Sequence, residues 1–221
     1  MKILALSDEE CPGLWDYYQP GKLKDYDLIL SCGDLKSEYL SFLVTMARCP
    51  LLYVHGNHDG SYEHRPPEGC DCIDDQLVIY NGVRILGLGG CRKYHPGPHQ
   101  YTEKQMRQRI RKLRFQLWRA GGVDIVVTHA PVQDLGDGED PAHYGFEAFR
   151  ELLDKYHPMY LIHGHVHLNY QHNASRCIEY NGTTIVNAYE RYTLEIPEQD
   201  HPLKSHGQLI WKTHPKTLSD F

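Results

Sequence analysis

Five times along this chain a short apolar run stops and a carboxylate, an amide or an imidazole follows at once. Residues 2–6 run into Ser7-Asp8-Glu9-Glu10, and residues 27–32 end in Cys32 ahead of Gly33-Asp34. Residues 51–54 lead to His55-Gly56-Asn57-His58-Asp59, residues 126–128 to His129, and residues 161–162 to His163-Gly164-His165-Val166-His167. Runs of four to six residues rich in Leu, Ile and Val read as strands buried on both faces. In open α/β sheets, ligands gather outside the carboxyl ends of such strands, where loop residues converge. The flanking glycines let the backbone turn tightly there.

Further apolar runs lie at 77–80, 83–88, 183–188 and 208–211, and the runs before His129 and His163 reach back to 124 and 159. Asn81-Gly82 and Asn181-Gly182 each join two runs, and Asn-Gly is a strong hairpin signal because both turn residues need positive φ. Helices are expected over 38–48, over 103–119, where Met106, Ile110, Leu113 and Leu117 share one face, and over 145–156, with Phe146, Phe149, Leu152 and Leu153 on one face. Strands alternating with helices, then hairpins, imply a mixed α/β fold with two sheets. A length of 221 residues suits a single globular domain, 1–221, with a motif core over about 1–189 and C-terminal strands and tail over 190–221.

Net charge is −6, which argues against nucleic acid or an anionic membrane as the main partner. The basic residues within 103–119 (Lys104, Arg107, Arg109, Arg111, Lys112, Arg114 and Arg119) therefore read as a solvated helix face rather than a polyanion site. No run approaches the roughly 18 apolar residues of a membrane helix, and the start lacks a signal peptide's basic and apolar regions. Seven scattered cysteines suit reduced thiols in a cytoplasmic protein better than a disulfide framework. Fifteen histidines are many for this length, and histidine is the commonest metal ligand.

Taken singly, each polar strand end reads as a turn. His165 and His167, spaced by two, would share a face of an extended chain. Taken together and in order, the five ends point to a metal site.

The order D-x-x, GD, GNHD, H, GHVH resembles the calcineurin-like metallophosphoesterases, from Asp8 to about Asn187. The resemblance implies two facing mixed β-sheets flanked by helices, a four-layer α/β/β/α sandwich, and a dinuclear metal centre. One ion would take Asp8, Asp34 and His167; the second would share Asp34 and add Asn57, His129 and His165. His58 would be the catalytic acid and Asp59 a residue that orients it. Two divalent ions about 3.5–4 Å apart need a shared carboxylate between them, and a bridging water becomes hydroxide near neutral pH. That hydroxide can attack phosphorus in line while a histidine protonates the leaving alkoxide.

The sequence departs from the family's Asp-x-His at its first strand, where Glu10 stands in place of the histidine. Three acids at one strand end call for a cation, and Glu10 is expected to ligate the first ion, with Glu9 pointing away because neighbouring positions of an extended end alternate. Hard oxygen donors favour Mn or Fe, with Mg, Zn and Ni as further options.

Two loops are placed to shape a pocket. In 89–101, Arg92, His95 and His99 are candidates for binding phosphate, and Tyr94 for packing on an organic group; the competing reading is a Pro/Gly-rich surface connection. The loop 130–144 carries Asp134, Asp137, Glu139, Asp140 and His143, is long for a connection and hints at a lid. The expected activity is hydrolysis of a small phosphodiester, ahead of a phosphomonoester. The alternative is a catalytically weak relative on the same fold that acts as a binding module or scaffold.

Overall fold

A computed structural model describes residues 1–168 and 175–196. Its first sheet is built from β1 (Lys2–Leu6), β2 (Leu28–Ser31), β3 (Leu51–Tyr53), β4 (Asp71–Cys72) and β13 (Tyr192–Glu195), in the order β13-β1-β2-β3-β4. Strands β1 to β4 run parallel, and β13 is antiparallel to β1. The second sheet is made of β5 (Gln76–Tyr80), β6 (Val83–Leu88), β9 (Ile125–Thr128), β10 (Tyr160–His163), β11 (Cys177–Tyr180) and β12 (Thr183–Asn187), in the order β11-β12-β10-β9-β6-β5. It is parallel at its centre and antiparallel at both edges. Two short strands, β7 (Cys91–Arg92) and β8 (Gln100–Tyr101), pair on their own. The expected strand at 208–211 lies outside the described residues, as do His201, His206 and His214.

Period-two alternation builds the layers. Ile3, Ala5, Leu28 and Leu30 face inward and meet Ile85, Ile125, Val127, Ile162 and Val186 of the other sheet. Leu4, Leu6 and Ile29 face outward and pack on Tyr39, Leu40 and Leu43 of α1 (Ser37–Ala47). On the far side, Leu86, Val126 and Leu161 pack on Met106 of α2 (Glu103–Lys112), Leu117 of α3 (Arg114–Arg119), and Phe149 and Leu153 of α4 (Glu147–Tyr156). The result is the four-layer α/β/β/α arrangement.

Both Asn-Gly pairs turn as the hairpin signal requires. Asn81 and Gly82 have φ of 48° and 82°, and Asn181 and Gly182 have 47° and 83°. The expected helix over 103–119 is instead two helices meeting at Leu113, whose N–H reaches back to the Ile110 carbonyl in a tighter turn. Its basic face is also not uniformly solvated. Arg109 is buried, donating to Asp75 and to the Gly89 carbonyl, and Arg107 pairs with Glu147 and Glu151. The seven cysteines are all free, and Cys11, Cys32 and Cys91 are buried. Among the described residues no helix is long and apolar enough to cross a membrane.

Candidate metal centre

The parallel strands of both sheets deliver their C-terminal ends to one side of the sandwich, and the backbone there is bent to bring side chains inward. Asp8, Asp34 and His165 adopt φ of 66°, 57° and 67°. That left-handed conformation costs a non-glycine residue roughly 1–2 kcal/mol, and strain of this kind clusters at functional sites. Close approach of the chain supplies the rest. A side-chain carbon on Gly164 would strike Ser7 and Asp8, and one on Gly33 would strike the backbone of His55 and Gly56.

These bends form a cavity of about 480 Å³ lined by Asp8, Asp34, Asn57, His58, Tyr94, Ala142, His143, His165 and His167. At its floor His129 is fully buried. Its Nδ1–H donates to the Cys32 carbonyl at 2.8 Å, so Nε2 faces the Asn57 Oδ1 at 3.0 Å and the Asp34 Oδ2 at 3.3 Å. A neutral ring would aim a lone pair at two oxygens, so a proton or a cation must sit between them. In the bare protein the proton takes that place: burial opposes charging His129, yet facing Asp34 pushes its pKa up to about 10. Burial likewise works against ionising Asp34, but His129 outweighs it and holds the carboxyl far below the ordinary range.

Asp34, His129 and His165 each offer a donor atom within 4.8 Å of the other two. The Nε2–H of His165 is committed to the Ala142 carbonyl at 2.7 Å, which leaves Nδ1 as its free lone pair. Burial, and then His129, drive its pKa down to about 3, so it stays neutral. Asp8 Oδ2 accepts from the His165 backbone N–H at 2.9 Å. Among the described residues its buried Oδ1 has no hydrogen-bond partner, and it lies 3.7 Å from His167 Nε2. An orphaned carboxylate oxygen, a lone pair aimed at two oxygens and a free imidazole nitrogen fit divalent cations.

His58 is exposed at the cavity, with its backbone N–H on Asp34 Oδ1 at 2.8 Å. Asp59 does not meet it. Its Oδ2 accepts from the N–H groups of Gly56 and Asp34 at 2.7 and 2.9 Å, tying two motif loops together. Burial, with Asp34 adding repulsion, raises the Asp59 pKa to about 6.

Glu10, expected among the ligands, is placed elsewhere. Its carboxylate lies 3.3 Å from Lys36 Nζ beside the start of α1, and does not line the cavity. The alternation argument fails because the chain is not extended there. Asp8 turns left-handed and the Glu9 N–H bonds back to the Ser7 carbonyl at 2.7 Å. Glu9 instead accepts from the Tyr189 hydroxyl, and the Tyr189 ring lies 5.0 Å from that of His167.

Of the candidates in the loop 89–101, only Tyr94 reaches the cavity, its hydroxyl accepting from Asn57 Nδ2 at 3.4 Å. Arg92 donates to the Gly145 carbonyl, His95 to that of Pro96, and His99 stacks on His55. From the loop 130–144 the cavity takes Ala142, which the sequence does not single out, and His143, which it does. The latter is held by Asp140 at 2.7 Å. A backbone carbonyl such as Ala142's leaves no trace in residue identities.

Residues 1–169 match the calcineurin-like phosphoesterase family. The chain belongs to that family. The family is metal-dependent and points to a hydrolase, and Asp34, His129 and His165 form a group able to hold a metal ion. A Caenorhabditis elegans relative, UPF0046 protein K07C11.7, is 24% identical, over 85% of this chain and 69% of its own length. Among solved structures, TT1561 of Thermus thermophilus superposes with a TM-score of 0.60 at 18% identity, covering 86% of this chain and 89% of that one. A Staphylococcus aureus chain described as a 5′-nucleotidase, in complex with alpha-ketoglutarate, superposes with a TM-score of 0.54 at 15% identity, over 89% of this chain and 51% of that chain. These likenesses are of fold.

Proposed function

We propose that this chain is a metal-dependent phosphoesterase acting on a small phosphodiester, ahead of a phosphomonoester. The observation that carries the reading is His129 Nε2, buried and aimed at both Asn57 Oδ1 and Asp34 Oδ2. In this reading Asp8, Asp34 and His167 would hold one divalent ion, while Asp34, Asn57, His129 and His165 would hold a second, Mn²⁺ or Fe²⁺ before Zn²⁺, Ni²⁺ or Mg²⁺. When bound, such a pair supplies an activated water and neutralises charge on phosphoryl oxygens.

The chain's own residues do the remaining work. His58, solvent-exposed beside Asn57, gives its proton to the leaving alkoxide oxygen. Asp59 holds the Gly56 and Asp34 backbones in register, a positioning role in place of the contact with His58 expected from sequence. Tyr94 and His143 wall the cavity and orient the organic part of the ester. With Glu10 drawn off to Lys36, the first ion would have three protein donors against four for the second.

The test is hydrolysis of bis-p-nitrophenyl phosphate and p-nitrophenyl phosphate by metal-stripped protein, with each metal added back. A nucleoside 5′-monophosphate joins the panel because of the structural relative described as a 5′-nucleotidase. Metal-dependent turnover that falls by roughly 10²–10⁴-fold in His58→Ala, with metal content retained, is expected. Two bound ions without turnover of any ester would replace this reading with a scaffold role.

A further inference from the structure

Away from the cavity a second group of donor side chains meets. His55 follows β3, Cys72 ends β4, Asp74 lies in the turn after it, and His99 precedes β8. His55 Nδ1 is 2.7 Å from Asp74 Oδ2 and 3.7 Å from Cys72 Sγ. The His55 and His99 rings stack with centroids 4.3 Å apart and planes 12° apart. One donor atom each from His55, Asp74 and His99 lies within 4.8 Å of the other two. A hydrogen-bonded His–Asp pair accounts for only two of the four residues. Among the described residues His99 Nε2 is buried without a hydrogen-bond partner, and leaving such a nitrogen unsatisfied is unfavourable.

We propose that His55, Cys72, Asp74 and His99 form a site for one zinc-class divalent ion, separate from the dinuclear centre. Two imidazoles, a thiolate and a carboxylate are a tetrahedral donor set of borderline softness, the kind that suits Zn²⁺. Tetrahedral bonds of about 2.0–2.1 Å to nitrogen and about 2.3 Å to sulfur put those atoms about 3.5 Å apart, near the 3.7 Å between His55 Nδ1 and Cys72 Sγ. Cys72 Sγ lies outside the group formed by the other three donors and would swing in from beside His55, the Asp74 carboxylate would back off by roughly 0.7 Å as the ion replaces the hydrogen bond, and the His99 ring would tilt out of its stack to aim a lone pair. His55 and Asp74 side chains are 18% and 19% exposed, so an ion can reach them.

The ion would lock together two segments that shape the catalytic cavity. Gly90 N–H already donates to the His55 carbonyl at 2.6 Å, and Gly89 N–H to Asp74 Oδ1 at 2.8 Å. A metal bond to His99 would add the far end of the loop that carries Tyr94, pinning it to the loop of Asn57 and His58. The site does not depend on whether the chain turns over an ester.

The experiment loads metal-stripped protein with Co²⁺ and records its absorption spectrum, then counts Zn²⁺ by mass spectrometry. The dinuclear donor set contains no sulfur, so a thiolate-to-cobalt charge-transfer band reports this site alone. The expected result is a band in wild type that disappears in Cys72→Ser and persists in Asp34→Ala, with one Zn²⁺ fewer per chain in His99→Ala than in wild type. No band in Co²⁺-loaded wild type would overturn the proposal without any variant. So would a band that survives Cys72→Ser, a band lost in Asp34→Ala, or equal zinc in wild type and folded His99→Ala.

Discussion

Gly56→Ala probes the centre by adding one carbon. Gly56 lies between β3 and Asn57, and a Cβ there would sit 2.6 Å from Asp34 Cγ, 2.7 Å from Asp34 N and closer still to Oδ1. Carbon contacts settle at about 3.5 Å, so the carboxylate must retreat by about 1 Å. The backbone nitrogen cannot follow easily, because Asp59 Oδ2 holds both it and the Gly56 N–H. The retreat also strains the bond from the His58 N–H to Asp34 Oδ1. Overpacking of this kind costs about 1–3 kcal/mol, or roughly 2–12 °C in Tm for a chain of this size. The effect on catalysis is larger, since a misplacement of about 1 Å can cost about 10²-fold. We expect kcat/KM on the best ester to fall by at least about 10²-fold, with loss of bound metal. Gly182→Ala is the control, because φ there is 83° but nothing lies within 4 Å of the added carbon. It should lose about 1 kcal/mol through backbone strain and keep its activity. A folded Gly56→Ala protein with wild-type turnover and metal content would refute the bridging role of Asp34.

Glu10→Ala should leave metal stoichiometry and preference unchanged, since its carboxylate serves Lys36; a shift in preference measured by metal titration would return Glu10 to the ligand set. Asp124→Ala should lose about 3–5 kcal/mol in urea unfolding, because it strands Arg84, which it binds through both carboxylate oxygens at 2.5–2.9 Å with both side chains largely buried; a loss under about 1 kcal/mol would contradict that. His163 is kept neutral by burial, its pKa pushed down to about 4. The unfolded chain binds that proton near 6.5 and the native state only near 4, so His163 withdraws about 3 kcal/mol of stability from metal-free protein as pH drops between them, in addition to what His165 withdraws. His163→Gln should lose stability less steeply over that range by about the same amount, and identical pH profiles for the two proteins would sink the assignment.

The sandwich and the order of motif residues were legible in the sequence because they rest on local rules. Alternation assigns Ile3 and Ala5 to one face and Leu4 and Leu6 to the other. Asn-Gly dictates two hairpins, and polar residues at successive parallel strand ends are carried to one side by topology. Residue identity also singles out the histidines and carboxylates that the cavity gathers. What the sequence could not decide was where chains go once they leave the strands. The left-handed turn at Asp8 breaks the alternation that pointed Glu10 inward, and a lysine from the start of α1 takes its carboxylate. His99 sits in a loop read as facing a phosphate, yet the β7–β8 pairing carries it to His55 and Asp74. Arg109 looked solvated until Asp75 and a carbonyl from the end of β6 met it. Each of these outcomes depends on partners distant in the chain, and only tertiary packing brings such partners within reach.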